Sequence, residues 1–167
     1  MKITIKNLKT MRGRDWPAVD CDVCLSGKAF ATAHDDGNGG GLWISPTGTN
    51  NDSFIVNKGI LNTVEDYVKN THNIELDEFV DNLIDASLKV KEGKKIEKDF
   101  QKGICFGYDT ESFVIHNWKK FKTLKDLAAD PRGKAAIQKA IVDIKKELKP
   151  DQKILNADVL KSMGFKL

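Results

Sequence analysis

The segment from Ala18 to Ile44 constrains the fold more than any other part of the sequence. Apolar and polar residues alternate from Val19 to Leu25, which is the period of a strand with one buried face. Ser26-Gly27 follows as a two-residue connection whose glycine accepts a positive φ, and a second run returns to His34. The pattern therefore predicts a β-hairpin.

The hairpin pattern also predicts which residues face the core. We expect Leu25 to lie opposite Lys28, and regular antiparallel pairing then sets Val23 opposite Phe30. Phe30 is therefore predicted to join the core. The alanines of the return strand are predicted to share the acidic outer face with Asp20.

The return strand ends in a loop rich in aspartate and glycine, Asp35 to Gly41, whose Asp-Gly and Asn-Gly steps favour tight turns. Carboxylate oxygens and free amides also bind cations and anions, so a ligand site is an alternative. The spacing matches neither an EF-hand loop nor a P-loop, and we favour a structural turn, in which valine at Gly39 or Gly40 lowers stability. Four residues in or after this loop are candidates for partner binding: Asp35, Asp36, Asn38 and Trp43.

A second loop, Arg12-Gly13-Arg14-Asp15-Trp16-Pro17, precedes the hairpin. Two arginines beside an exposed tryptophan are able to bind phosphate and stack on a base. In the alternative that we favour, the segment is a structural loop, Asp15 neutralises one arginine and Trp16 folds back onto the hairpin. Arg12, Arg14 and Trp16 are kept as candidate partner-binding residues.

Several segments together resemble small accessory proteins encoded by tailed bacteriophages and prophages. They are the lysine-alternating start MKITIKNLKT, the Ser-Gly-Lys turn, the DDGNGG loop, the lysine-rich approach to Gly103–Phe106 and the near-terminal Lys153–Asn156. The resemblance implies a phage origin. It implies no catalytic residues.

The remaining chain alternates helical and extended patterns. A capping-box spacing predicts a short helix over 62–70, after a long polar loop from Ser45 to Gly59. An apolar stripe from Leu76 to Leu88 predicts a second helix that ends near Gly93. A second hairpin is predicted over 104–118.

Three further helices are predicted in the C-terminal part of the chain. Thr123, Asp130 and Asn156 each have the residue type and position of an N-cap. The sequence thus predicts a single α+β domain over 1–167, with a small antiparallel sheet built from two hairpins and packed against three to five helices. The sheet-forming part covers about 1–57, and the helical and second-hairpin part covers about 58–167.

The composition also limits the location of the protein. There is no apolar run of about 18 residues and no signal-peptide pattern, so no membrane association is expected. Three cysteines do not form a complete set of disulfides, which suits a reducing compartment. We expect a cytoplasmic protein, in the bacterial host if it is phage-encoded. The sequence defines no oligomeric state.

The charges are divided unevenly along the chain. Residues 1–88 contain eight Lys+Arg and thirteen Asp+Glu, whereas residues 89–167 contain nineteen and eleven. Lys94, Lys95 and Lys98 are candidate phosphate contacts within a basic stretch. Since Glu92 and Glu97 dilute this stretch, we favour a solvated face and expect only weak nucleic-acid binding.

No pattern of catalytic, metal-binding or cofactor-binding residues is evident. Cys21 and Cys24 have the spacing of a redox or zinc pair, but residues three apart on a strand point to opposite faces. The histidines are scattered over different elements. We therefore predict a non-catalytic protein, without cofactor, that binds a host or phage protein and inhibits a bacterial defence or takeover target. The alternatives are a nucleic-acid-binding module using the basic C-terminal half and a small enzyme whose site is assembled from distant residues.

Overall fold

The computed structural model describes all 167 residues and confirms the α+β class. The chain forms two compact units, Met1–Lys89 and Val90–Leu167, and each has its own buried apolar cluster. The boundary lies inside a helix, far from the change near residue 57 that the sequence suggests. Whether the units make one domain stays a prediction.

The first unit is built on a four-stranded antiparallel sheet in the order β1-β2-β3-β4. Its elements are β1 Ile3–Met11, β2 Ala18–Leu25, β3 Lys28–Asp35, β4 Trp43–Pro46, α1 Asn51–His72 and α2 Leu76–Lys102, of which α2 continues into the second unit. One face of the sheet packs against both helices. The fully buried residues of this core include Val23, Ala31, Ala33, Val64, Val68 and Val80. The opposite face of the sheet carries the polar residues.

The first hairpin contains a β-bulge that changes the predicted register. Leu25 pairs with Lys28 as expected, but Val23 pairs with Ala31 because Phe30 is the extra residue of the bulge. Phe30 is 1% exposed, so its predicted place in the core is confirmed. The prediction that the alanines of this strand lie on the outer face is wrong for Ala31 and Ala33, because the bulge reverses the alternation and turns both into the core, whereas Ala29 is exposed.

Both helices of the first unit are longer than predicted. The prediction of a long loop from Ser45 to Gly59 is wrong, because α1 begins at Asn51. A capping box starts this helix, and in it Asn50 Oδ1 accepts a hydrogen bond from the Ser53 amide at 2.9 Å. α2 passes through Gly93, where one glycine costs only about 1 kcal/mol relative to alanine. Although α2 has 27 residues, no helix of the protein is both long and apolar enough to cross a membrane.

The second unit contains a three-stranded antiparallel sheet in the order β6-β5-β7, so the two predicted hairpins lie in separate sheets. Its elements are β5 Gly103–Gly107, β6 Phe113–Asn117, α3 Leu124–Ala128, α4 Pro131–Glu147, β7 Lys153–Ile154 and α5 Ala157–Ser162. The predicted N-caps Thr123 and Asp130 are confirmed. Ile104, Ile137, Ile141 and Leu160 form the centre of its core.

Asn156 has a different role from the predicted cap. Its side chain makes no capping hydrogen bond and is 2% exposed. Nδ2 donates to the carbonyls of Phe100 and Gly103, both at 2.8 Å, while Oδ1 accepts from the Cys105 amide at 3.0 Å. The side chain thus ties the segment before α5 to the end of α2 and the start of β5.

Candidate functional site

Two loops meet at one end of the first unit's sheet. The arginine loop, Arg12–Pro17, joins β1 to β2, and the glycine loop, Asp36–Leu42, joins β3 to β4. Because the strands are antiparallel neighbours in the order β1-β2-β3-β4, the β1–β2 and β3–β4 connections emerge at the same end of the sheet. Most of the predicted partner-binding residues lie in these loops or next to them.

The two loops interlock through their backbones. The Gly37 carbonyl accepts hydrogen bonds from the amides of Asp15 at 3.0 Å and Trp16 at 3.1 Å. A Cβ on Gly37 would lie 2.2 Å from the Trp16 carbonyl oxygen, and a Cβ on Gly13 would lie 2.0 Å from the same atom. Gly37 also has φ +71°, which side-chain-bearing residues rarely adopt. Glycine at both positions is what lets the loops approach.

The aspartates of the glycine loop shape the backbone. Asp35 Oδ1 accepts from the Gly37 amide at 2.8 Å, and Asp36 Oδ1 accepts from the Asn38 amide at 2.9 Å. The Asn38 side chain donates to Asp36 Oδ2 at 3.0 Å. The Asn38 amide and then the Asn38 side chain hold the pKa of Asp36 below its ordinary value, so this carboxylate stays charged. These bonds support the structural interpretation of the loop.

The glycine that the loop requires is not the one expected from the sequence, which was Gly39 or Gly40. A Cβ on Gly40 would meet no atom within 4 Å, and Gly40 does not have a positive φ. Gly39 is equally open but has φ +82°. Gly37 is therefore the glycine that the packing requires, whereas Gly40 tolerates a side chain.

The two tryptophans at this end of the sheet are both exposed. Trp16 is 70% exposed and Trp43 is 71% exposed. The expectation that Trp16 folds back onto the hairpin is wrong, because its backbone is bound to Gly37 while its indole is left in solvent. Arg12 and Arg14 are exposed on the same loop.

Trp43 belongs to a row of side chains that crosses all four strands. Lys9 pairs with Asp20, Asp20 with His34, and His34 with Trp43, so all four project from the outer face. His34 Nδ1 lies 3.8 Å from Asp20 Oδ1, and both side chains are about half exposed. The sequence gives no direct sign of this row, which depends on the observed register.

A small cavity of about 120 Å³ connects this row to the glycine loop. It is lined by His34, Trp43, Asp36 and the backbone of Gly40 and Gly41. Trp43 therefore shares this cavity with Asp36, which directly precedes the Gly37 that binds the arginine loop. We define the tryptophan surface as Arg12, Arg14, Trp16, Asp36, Asn38 and Trp43.

The other predicted site residues lie outside the tryptophan surface. Asp35 is partly buried, and its charge contributes to the raised pKa of Asp81 on α2, after burial and Asp85. Lys94, Lys95 and Lys98 are exposed on the part of α2 that belongs to the second unit.

The cysteines lie in buried positions. All three are free, and burial raises the pKa of Cys21 and of Cys105 to about 11. No three side chains of the His, Cys, Asp or Glu type lie close enough together to hold a metal ion. No family model, curated protein or solved structure matches this chain.

Proposed function

We propose that the protein acts by binding and that the tryptophan surface is its contact with a partner protein. The observation that carries this proposal is the exposure, about 70% each, of Trp16 on the arginine loop and of Trp43 at the start of β4, directly after the glycine loop with which the arginine loop interlocks. An indole is a large apolar group whose burial is favourable, and clustered exposed apolar groups rimmed by polar residues are typical of interaction sites.

The composition of the surface favours protein over nucleic acid as its partner. Tryptophan and arginine are enriched at the centres of protein interfaces, and this surface holds two of each. The first unit contains nine Lys+Arg and thirteen Asp+Glu, and the charged Asp36 lies within the surface itself. A polyanion is repelled by that balance, whereas a protein with its own mixed charges is not.

The interlocked loops also make the surface ready to bind. The backbones of both loops are fixed by hydrogen bonds to Gly37 and by the bonds between Asp36 and Asn38. Little conformational entropy is then lost on association, which leaves more of the contact energy as affinity.

The sequence resemblance gives the proposal its biological setting. We propose a partner encoded by the host or the phage, and an action in the host cytoplasm as an inhibitor of a bacterial defence or takeover target. No residues are assigned to the alternative of a small enzyme. The alternative of nucleic-acid binding concerns the second unit and not the tryptophan surface.

Affinity capture with single variants tests the proposal. Tagged wild-type protein and the variants Trp16→Ala and Trp43→Ala are exposed to host lysate, and retained proteins are quantified by mass spectrometry. A partner of this surface is retained by the wild type and lost with either variant, because truncating a central tryptophan costs about 2 kcal/mol or more.

The matched control is Tyr108→Ala, which removes an exposed aromatic residue, 49% accessible, from the second unit. This variant should retain the partner like the wild type. If the tryptophan variants retain the same proteins as the wild type, the proposed surface is wrong.

A further inference from the structure

The turn between β6 and α3 concentrates positive charge in the second unit. We define the basic turn as Trp118–Lys122, closed by a hydrogen bond of 2.9 Å from the Phe121 amide to the Trp118 carbonyl. Lys119, Lys120 and Lys122 are exposed and form no ion pair. The closed turn presents these charges together at a fixed place in the fold.

The charge around the basic turn is not cancelled by its sequence neighbours. The second unit contains eighteen Lys+Arg and eleven Asp+Glu. The nearest carboxylate along the chain, Asp126, is occupied in the capping box of α3, where it accepts from the Thr123 amide at 3.1 Å. Lys125 adds a further exposed charge in the first turn of that helix.

Aromatic rings lie among these lysines. Phe121 is 37% exposed within the turn, and the ring of His116 packs edge-on against Trp118 with centroids 4.9 Å apart. His116 and Trp118 border an open groove of about 330 Å³, which Lys139, Asp143 and Glu147 also line. Carboxylates in the groove oppose phosphate there, but they accept hydrogen bonds from the amino groups of nucleobases.

We propose that the basic turn binds single-stranded nucleic acid. Lys119, Lys120 and Lys122 contact backbone phosphates, one base stacks on Phe121, and a neighbouring base enters the groove beside His116 and Trp118. Lysines next to accessible rings suit a single strand, because only unpaired bases offer their faces for stacking. The proposal is independent of the tryptophan surface.

The basic stretch on α2 lacks this combination. Glu92 precedes Lys94 and Lys95, and Glu97 lies between them and Lys98. The aromatic residue that follows, Phe100, is partly buried against Phe113, with ring centroids 6.2 Å apart. The two lysine triplets carry the same charge and differ in their aromatic neighbours, so they form a matched pair.

Fluorescence anisotropy of the full chain tests the proposal. The probes are labelled oligodeoxycytidylate and oligocytidylate, whose bases carry an amino group, each about 20 nucleotides long, and a duplex of equal length, titrated at several salt concentrations. We expect Kd values of micromolar order for the single strands at low salt, with weaker duplex binding. The single strand that binds more tightly shows whether the protein prefers DNA or RNA.

The variants separate this site from general charge. Replacing Lys119, Lys120 and Lys122 by glutamine should weaken single-strand binding at least tenfold and reduce the salt slope by about 2, because about three phosphate contacts are lost. Phe121→Ala should weaken it about tenfold without changing the salt slope. Replacing Lys94, Lys95 and Lys98 by glutamine should change affinity less than about threefold, since only diffuse charge is removed. Thermal melts check that each variant is folded.

Four results would overturn the proposal. The first is equal loss of affinity in the two lysine triplets, which indicates diffuse attraction. The second is an unchanged affinity of Phe121→Ala for the single strands. The third is duplex binding as tight as single-strand binding. Either of these two results would show that bases do not stack on the protein. Absence of binding at low salt also contradicts it.

Discussion

The contact between Gly13 and Gly37 is the structural basis of the tryptophan surface, and a series of alanine variants measures its strength. Alanine at Gly37 forces its Cβ to within 2.2 Å of the Trp16 carbonyl oxygen. Relief of this overlap requires a separation of about 1 Å, because ordinary carbon–oxygen contacts lie near 3.3 Å. That movement breaks the two hydrogen bonds from Asp15 and Trp16 to the Gly37 carbonyl.

The expected loss for Gly37→Ala has two parts. A side chain at a positive φ costs about 1–2 kcal/mol. Two lost hydrogen bonds add about 1–3 kcal/mol, at roughly 0.5–1.5 kcal/mol each. We therefore expect the free energy of unfolding of the first unit to fall by about 2–5 kcal/mol.

Two neighbouring glycines provide matched controls. Gly39→Ala places a side chain in open space at φ +82° and should cost only the conformational part, about 1–2 kcal/mol. Gly40 has neither a positive φ nor an atom within 4 Å of the added Cβ, so Gly40→Ala should change the free energy of unfolding by less than about 0.5 kcal/mol. Urea denaturation followed by circular dichroism measures all three. A loss for Gly37→Ala no larger than that for Gly39→Ala would refute the proposed interlock.

Three further predictions concern stability and titration. Asn156→Ala should lower the free energy of unfolding by at least about 3 kcal/mol in urea denaturation, because it leaves two carbonyls and one amide without their partner, whereas exposed Asn117→Ala should be nearly neutral. The buried thiols should react with a disulfide reagent at pH 8 only after denaturation. Burial raises the pKa of the Cys21 and Cys105 thiols from 9.0 to about 11, so these thiols ionise at lower pH in the unfolded chain than in the folded one. The free energy of unfolding should therefore fall as pH rises from about 9 through about 11. A free energy of unfolding that is constant over this range contradicts this prediction. Burial, then Asp85, Asp35 and Asp77, raise the pKa of Asp81, so Asp81→Asn should increase the melting temperature at pH 7. This advantage should be lost as pH falls through the raised pKa towards 3.8, because the wild-type carboxyl group is then protonated. An unchanged melting temperature at pH 7 contradicts this prediction.

Local signals in the sequence predict much of the fold. The turn at Ser26-Gly27, the caps at Thr123 and Asp130 and the apolar stripe from Leu76 to Leu88 each depend on residues close together in the sequence, and all are observed. The start of α1 was missed because its first turns are rich in asparagine and other polar residues that also occur in loops. Its capping pair, Asn50 and Ser53, was the available signal.

Contacts between distant residues explain what the sequence did not predict. Asn156 binds backbone atoms more than 50 residues away, so its cap-like position gave no sign of its buried role. The bulge at Phe30 reversed the faces of two alanines, and regular pairing gives no warning of it. The candidate residues of both loops were identified from composition, but their meeting depends on Gly13 and Gly37, whose close approach only the folded chain defines.

The most direct test of the account is hydrogen exchange of the full chain with and without its captured partner. Every backbone amide is monitored, so the footprint identifies the contact surface without a prior choice of variants. We expect slower exchange on binding over residues 12–17 and 36–43, and no change in the basic turn. Protection confined to the second unit, with unchanged exchange around Trp16 and Trp43, would contradict the central claim that the tryptophan surface is the binding site.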